Sequence, residues 1–303
     1  MRRYEFYQLD VFTNQAFAGN PLAVFPEAEG LTDEEMQKIA REMNLSETVF
    51  VLPSEKALRR LRIFTPVREL PLAGHPVVGT WNLLATLGVV TGENETITIE
   101  HELKIGVLPV EIEFRDGKPA RVVMTQDAFE AGDAITDETE LSLLAESLGL
   151  SAADLNCSEK LPVRISSTGI KALDVPLRSL NALSRCRINS SLLSEIYLRY
   201  DASGCYVFAF ETLEPESKIH ARFFAPSNGI PEDAATGSAA GSLAGYLVFH
   251  GALEERKFTI EQGDFMQRPS RIFAEVEGEP GNVGRVKIGG GSVIVAKGEV
   301  FLD

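Results

Sequence analysis

The apolar positions of the first 130 residues fall mostly in short runs bounded by turn residues, which is the spacing of strands. Tyr4 to Phe12 is the first such run; a polar, glycine-containing loop, Thr13 to Pro21, and a second run, Leu22 to Phe25, follow it. The pattern then turns helical at Leu31-Thr32-Asp33-Glu34-Glu35-Met36. Thr32 is placed as an N-cap, Glu35 completes a capping box, and Leu31 with Met36 forms a hydrophobic staple. Ile39 and Met43 extend the stripe, and the helix should stop near Asn44. Val49 to Leu52 and Leu61 to Thr65 read as strands. The run Val77 to Leu87 is different, because it is apolar on nearly every side. A helix there belongs inside a sheet layer. Ala73-Gly74-His75-Pro76 opens it and Gly88 closes it, with Pro76 expected at the first helical position. Strand patterns resume at Thr96 to Glu100, Leu108 to Phe114 and Ala120 to Met124.

The second half adds helical patterns at Glu138 to Leu148 and Asn189 to Tyr200, and strands at Val163 to Ser166 and Cys205 to Phe210. From Arg222 onward the first half recurs. Arg62-Ile63-Phe64-Thr65-Pro66 is matched by Arg222-Phe223-Phe224-Ala225-Pro226. A Pro-bounded loop and an all-round apolar helix follow in both places, the second helix at Ser238 to Phe249. Each is then followed by Thr-Ile-Glu, at Thr98-Ile99-Glu100 and Thr259-Ile260-Glu261. The pattern is that of a duplicated unit of about 160 residues, too long a period for a solenoid. Each copy would be a sheet wrapped on a central helix, with the ligand cleft between them.

Composition narrows the function. The chain has 303 residues, 44% of them hydrophobic, which supports a folded core and a prior of two domains. With 29 Lys+Arg against 44 Asp+Glu the net charge is −15, which argues against nucleic acid and against docking on an anionic membrane. No run of 18 apolar residues and no signal core occurs. The three cysteines, Cys157, Cys186 and Cys205, are too few and too scattered for a disulfide framework or a zinc knuckle. A cytoplasmic protein is expected.

The candidate chemistry lies at the two buried helix starts, Gly74-His75-Pro76 and Glu232-Asp233-Ala234-Ala235-Thr236-Gly237-Ser238. A helix N-terminus presents free N–H groups and a partial positive charge, so two of them facing one cleft would hold a small anion. Asp233 or Thr236 would otherwise be a helix cap. His75 at a helix start should have a lowered pKa and work as a neutral imidazole, or else be structural. Glu47, at the edge of Val49-Phe50-Val51, is either a desolvated general acid/base or an exposed residue at a strand entry. No P-loop, Rossmann fingerprint or H-E-x-x-H is present. No cysteine stands at either helix start, where a thiol-pair racemase would carry one. Gly289-Gly290-Gly291 marks a hinge or bulge.

Four blocks of the sequence resemble the phenazine-biosynthesis isomerase-like (PhzF-like) family: Asp10-Val11-Phe12-Thr13 with Phe17 to Val24, Asn44 to Val51, Pro71 to Thr80, and Gly229 to Ala239. Gln262-Gly263 and Arg268-Pro269-Ser270 extend the resemblance. It implies the diaminopimelate epimerase-like fold: α+β, two similar domains, each a barrel-like, mostly antiparallel sheet around a central helix. The domains would be residues 1–123 plus 288–303, the last strand returning, and residues 124–287, with the active site between them. It implies isomerisation by proton transfer without cofactor or metal, on a small anionic, carboxylate-bearing metabolite, in a protein that is often a homodimer. Glu47 matches the family's acid/base, His75 and Asp233 its polar partners, and Gly74 and Ser238 its substrate contacts; Gly237 and Thr236 belong to the same helix start. Two positions depart from the family: Ala234 stands where Pro is common, and Gln267 where Gly is common. The rival readings are an amino-acid racemase or epimerase on the same fold, and a non-catalytic metabolite-binding protein.

Overall fold

The structure is a computed structural model that describes residues 1–302. It is a mixed α/β protein with extensive sheet and few helices. The chain divides into two compact units. The first holds residues 1–124 and the C-terminal stretch from Gly289, the second residues 125–288.

The first unit begins with β1 (Arg2–Val11), β2 (Asn20–Phe25), α1 (Asp33–Met43), β3 (Glu47–Leu52), β4 (Arg60–Phe64) and β5 (Glu69–Leu70). It continues with α2 (Gly74–Thr86), β6 (Thr96–Leu103), β7 (Gly106–Arg115) and β8 (Lys118–Thr125). The second unit has β9 (Glu130–Ile135), α3 (Glu138–Ser147), β10 (Val163–Ser167), β11 (Lys171–Pro176), α4 (Leu180–Arg185), α5 (Ser190–Arg199) and β12 (Cys205–Ala209). There follow β13 (Ile219–Ala225), β14 (Ile230–Asp233), α6 (Gly237–Phe249), β15 (Lys257–Gln262), β16 (Ser270–Glu279) and β17 (Asn282–Gly290). The last strand, β18 (Ser292–Leu302), belongs to the first unit.

In the first unit β1 runs antiparallel to both β2 and β18. β2 is parallel to β3, and β3 is antiparallel to β4. β4 pairs antiparallel with the short β5 and parallel with β6, which starts the antiparallel run β6, β7, β8. Helix α2 fills the middle: every residue from His75 to Ala85 is buried. A helix apolar all round can be stable only there. Gly79 is what lets it approach the sheet, since a Cβ at that position would lie 2.6 Å from a Val11 methyl and 2.7 Å from a Leu22 methyl. Helix α1 packs Met36, Ile39 and Ala40 onto Phe25, Phe50 and Phe64. Its capping box is formed as expected: Glu35 N donates to Thr32 Oγ1 at 3.2 Å and Thr32 N to Glu35 Oε2 at 2.9 Å. Asn44 ends it in the left-handed conformation.

The start of α2 corrects the sequence reading. The helix begins at Gly74, behind Ala73, so Pro76 is its third residue. All first-turn N–H groups lack an intrahelical acceptor, so proline is tolerated there as well. Gly88, at φ +82°, supplies the left-handed turn beyond the helix.

In the second unit β9, β10 and β11 pair antiparallel in turn. β11 is parallel to β12, and β12 is antiparallel to β13. β13 pairs antiparallel with β14 and parallel with β15, which pairs antiparallel with β16. Helix α6 is again buried on all sides from Ala239 to Val248. Helices α3, α4 and α5 close a further apolar cluster that includes Leu144, Leu148, Leu183, Leu193, Ile196 and Tyr197. Cys186 and Cys205 lie in it, and burial pushes the Cys186 thiol up to about 11, away from thiolate chemistry. Gly289 and Gly290 end β17, and Phe12 N donates to Gly291 O at 2.9 Å across this turn.

One buried acid sets a pH dependence of stability. Asp174 on β11 is fully buried and accepts a hydrogen bond from Ser166 Oγ. Burial raises its pKa well above the ordinary carboxylate range, and the Ser166 contact only partly opposes this. Its contribution to stability is therefore full below the unfolded pKa near 4 and is lost as pH rises through the folded value. Asp174→Asn removes that loss. Its melting temperature should exceed that of the wild type at pH 7 by a few degrees, and the difference should shrink toward pH 4. Thermal melts across this range check it; a variant equally shifted at both pH values contradicts it.

Candidate active site

Glu47 is the first residue of β3, beside Leu22, the third residue of the parallel β2. His75 is the second residue of α2. The two are 28 positions apart in sequence, yet Glu47 Oε2 lies 3.2 Å from His75 Nε2. Their side chains are 14% and 8% exposed. The two atoms stand at ion-pair distance, and His75 Nε2 makes no hydrogen bond. Burial lowers the His75 pKa to about 3, so the ring is neutral at physiological pH. Sequence reasoning expected the same direction from the helix end; burial is the cause seen here. Ala73, the residue before Gly74, has no side chain that can cap, so no side-chain hydrogen bond closes the α2 N-terminus.

The second group lies in the other unit. Asp233 ends β14 and Thr236 is the N-cap residue of α6, followed by Gly237 and Ser238. Thr236 does not cap with its side chain. Its Oγ1 donates to Asp233 Oδ2 at 2.6 Å, so the cap reading of Thr236 is corrected: the hydroxyl is spent on the carboxylate. The N-cap residue of α6 thus makes no side-chain cap, as that of α2 makes none. Each start can offer backbone N–H groups and the positive end of a 13-residue helix to a carboxylate. Among the described residues no three His, Cys, Asp or Glu side chains are gathered as a set of metal ligands.

Sequence reasoning missed Gln262 and Tyr206. Gln262, fully buried at the end of β15, donates from Nε2 to Asp233 O at 2.8 Å and to Thr236 Oγ1 at 3.0 Å. Its Oε1 accepts from Thr236 N at 3.2 Å and from Tyr206 OH at 2.8 Å. The signal was the position of Gln262 in the Gln262-Gly263 block, but an amide far along the chain announces no partner. The departure at Gln267 has a local reading: it adopts φ +59°, a region that favours glycine. Ala234 is buried, and its carbonyl accepts from Ser270 Oγ at 2.9 Å.

A carboxylate beside a neutral imidazole, near an uncapped helix start, is the equipment of an enzyme that moves protons without needing a large charged site. Comparison with known proteins agrees. The family model for phenazine biosynthesis-like proteins matches residues 9–298. An uncharacterised isomerase of Clostridium acetobutylicum is 37% identical over 309 residues, covering all of both chains. A trans-2,3-dihydro-3-hydroxyanthranilate isomerase of Pseudomonas chlororaphis is 36% identical over 296 residues, covering 97% of this chain and 98% of the relative. The crystal structure of a Bacillus anthracis phenazine biosynthesis protein of the PhzF family superposes with a TM-score of 0.89 at 30% identity, covering all of both chains. The protein is an isomerase. The chain belongs to the PhzF (phenazine biosynthesis-like) family. No helix among the described residues is long and apolar enough to cross a membrane.

Proposed function

We propose that Glu47, His75 and Asp233, with Gly74, Thr236, Gly237 and Ser238, serve one substrate, and that the protein shifts a proton within a small carboxylate-bearing metabolite. The single observation that carries this is the 3.2 Å approach of Glu47 to a buried, neutral His75. Glu47 takes a proton from an acidic carbon and returns it at another position. His75 and Asp233 orient the substrate, and the two helix starts stabilise the anionic intermediate. The name of the Pseudomonas relative supports a substrate of the dihydro-hydroxyanthranilate kind, a ring acid with a mobile hydrogen. The same reading includes a cytoplasmic homodimer that uses neither metal nor cofactor.

It also includes an internal duplication on the epimerase-like plan, with each unit a barrel-like sheet around its helix. The order of pairings supports this: antiparallel, parallel, antiparallel, antiparallel hairpin, then parallel occurs in β1 to β6 and again in β10 to β15. Arg62 holds Glu69 at 2.8 Å and lies over Phe64, as Arg222 holds Glu232 at 2.7 Å and lies over Phe224. Aligned on these arginines, Arg60 opposite Glu102 corresponds to His220 opposite Glu261. The Thr-Ile-Glu recurrence is therefore two residues out of register, and Glu102, not Glu100, is the counterpart of Glu261.

In that alignment the two halves differ where the chemistry lies. Glu47 corresponds to Gly204, where a Cβ would sit 2.4 Å from the Phe223 ring. His75 corresponds to Ser238, and Asp233 to Leu70. A single acid/base supports a proton shift over a two-base racemase. The test is incubation with trans-2,3-dihydro-3-hydroxyanthranilate and related unsaturated acids in D2O. The product should carry deuterium at the carbon that gains the proton. Tight binding of such acids with neither product nor exchange would overturn the proposal.

A further inference from the structure

We propose that Gln262 is a positioning residue of this site: its carboxamide, fixed by Tyr206, holds the Asp233 carboxylate and the uncapped start of α6 in their working arrangement. The inference rests on the reading that Asp233 faces substrate. Gln262 uses both ends of its amide. The oxygen takes the Tyr206 hydroxyl and the Thr236 N–H, which leaves the nitrogen to donate to Asp233 O and Thr236 Oγ1. Thr236 Oγ1 accepts that donation and gives its own proton to Asp233 Oδ2 at 2.6 Å. The chain Tyr206, Gln262, Thr236, Asp233 thus has one consistent direction of donation, and each bond polarises the next.

Two consequences bear on catalysis. The Thr236 hydroxyl, which would otherwise cap α6, is drawn to the carboxylate, so the helix start keeps its donors for an anion. The carboxylate itself is held in one orientation, because Thr236 Oγ1 is tied to a fully buried amide.

The other half of the molecule shows that the fold does not need this network. In the alignment drawn from the strand pairings, Tyr206 corresponds to Val49, Asp233 to Leu70, Thr236 to Ala73 and Gln262 to Leu103. All four polar members are apolar in the first unit, where the same strands pair around the same kind of helix. A network kept in one half and absent as a whole from the other is equipment for a site, since a fold-bearing network would be required twice.

Gln262→Glu keeps the size and the accepting oxygen and removes both N–H donations; Gln262→Met removes the donations without adding charge. In crystal structures of the variants the Thr236 hydroxyl should leave Asp233. Turnover should fall about tenfold or more in kcat, with KM changed by less than about threefold, as for a loss felt mainly in the transition state. In an Asp233→Asn background the Gln262→Met change should cost no further activity, because its effect passes through that carboxylate. An unmoved Asp233 carboxylate in both variants, or losses that multiply in the double variant, would overturn the proposal. Full activity of Asp233→Asn alone would instead sink the assignment of Asp233 to the site, while the crystal structures would still decide whether Gln262 holds it.

Discussion

Glu47→Gln is expected to lower kcat by about a thousandfold, within the usual range for loss of a general acid/base. Glutamine has the same shape and can occupy the same place at the start of β3, 3.2 Å from His75 Nε2. It cannot accept a proton from carbon. Fold and binding should therefore survive: the residue is partly buried at a strand end and is not part of the aromatic cluster of Phe25, Phe50 and Phe64. The measurement is solvent deuterium exchange into substrate, with melting temperature as the control. A variant that exchanges within about tenfold of the wild type would remove Glu47 from the chemistry, whatever else in the site is right.

His75→Asn should cost about a hundredfold in kcat and give a distinctive pH signature. Burial holds His75 near 3, so the imidazole stays neutral from pH 5 to 8 and the wild-type rate should show no limb from its titration in that range. Asparagine keeps a donor and an acceptor but cannot pass a proton on. A limb near pH 6.5 that disappears in the variant would show instead that a charged His75 takes part. Stability carries a second mark. The folded pKa lies below the unfolded value near 6.5, so the His75 contribution is full above that pH and is lost as pH falls toward 3. The variant should lose stability less steeply across the same interval, which acid titration followed by fluorescence of the buried Trp81 can measure.

The elements that a local rule specifies were legible along the chain. Helix α1 follows from Thr32, Glu35 and the apolar stripe, because a capping box satisfies its own donors within four residues. The central helices were legible because an all-round apolar segment has only one place to go. β5, with two residues, and α4, with six, went unread, since neither is long enough to show a period. In the proposed alignment of the two halves the Thr-Ile-Glu match is displaced for a related reason: three residues can recur by chance, whereas pairing partners fix register.

The sequence by itself determined which residues are the candidates for the chemistry. A Glu before an apolar run, a His and an Asp near helix starts, and the family blocks around them all stand in the primary structure. Tertiary structure alone decided which of them meet and in what state. Glu47 reaches His75 because strand β3 begins beside the start of a helix packed into the same unit. His75 is neutral because that helix is buried. Thr236 donates to Asp233 and makes no side-chain cap to its helix, while an amide 26 residues further on donates to its hydroxyl oxygen. Proximity, burial and the direction of a hydrogen bond are properties of packed neighbours, and no spacing along a chain encodes them directly.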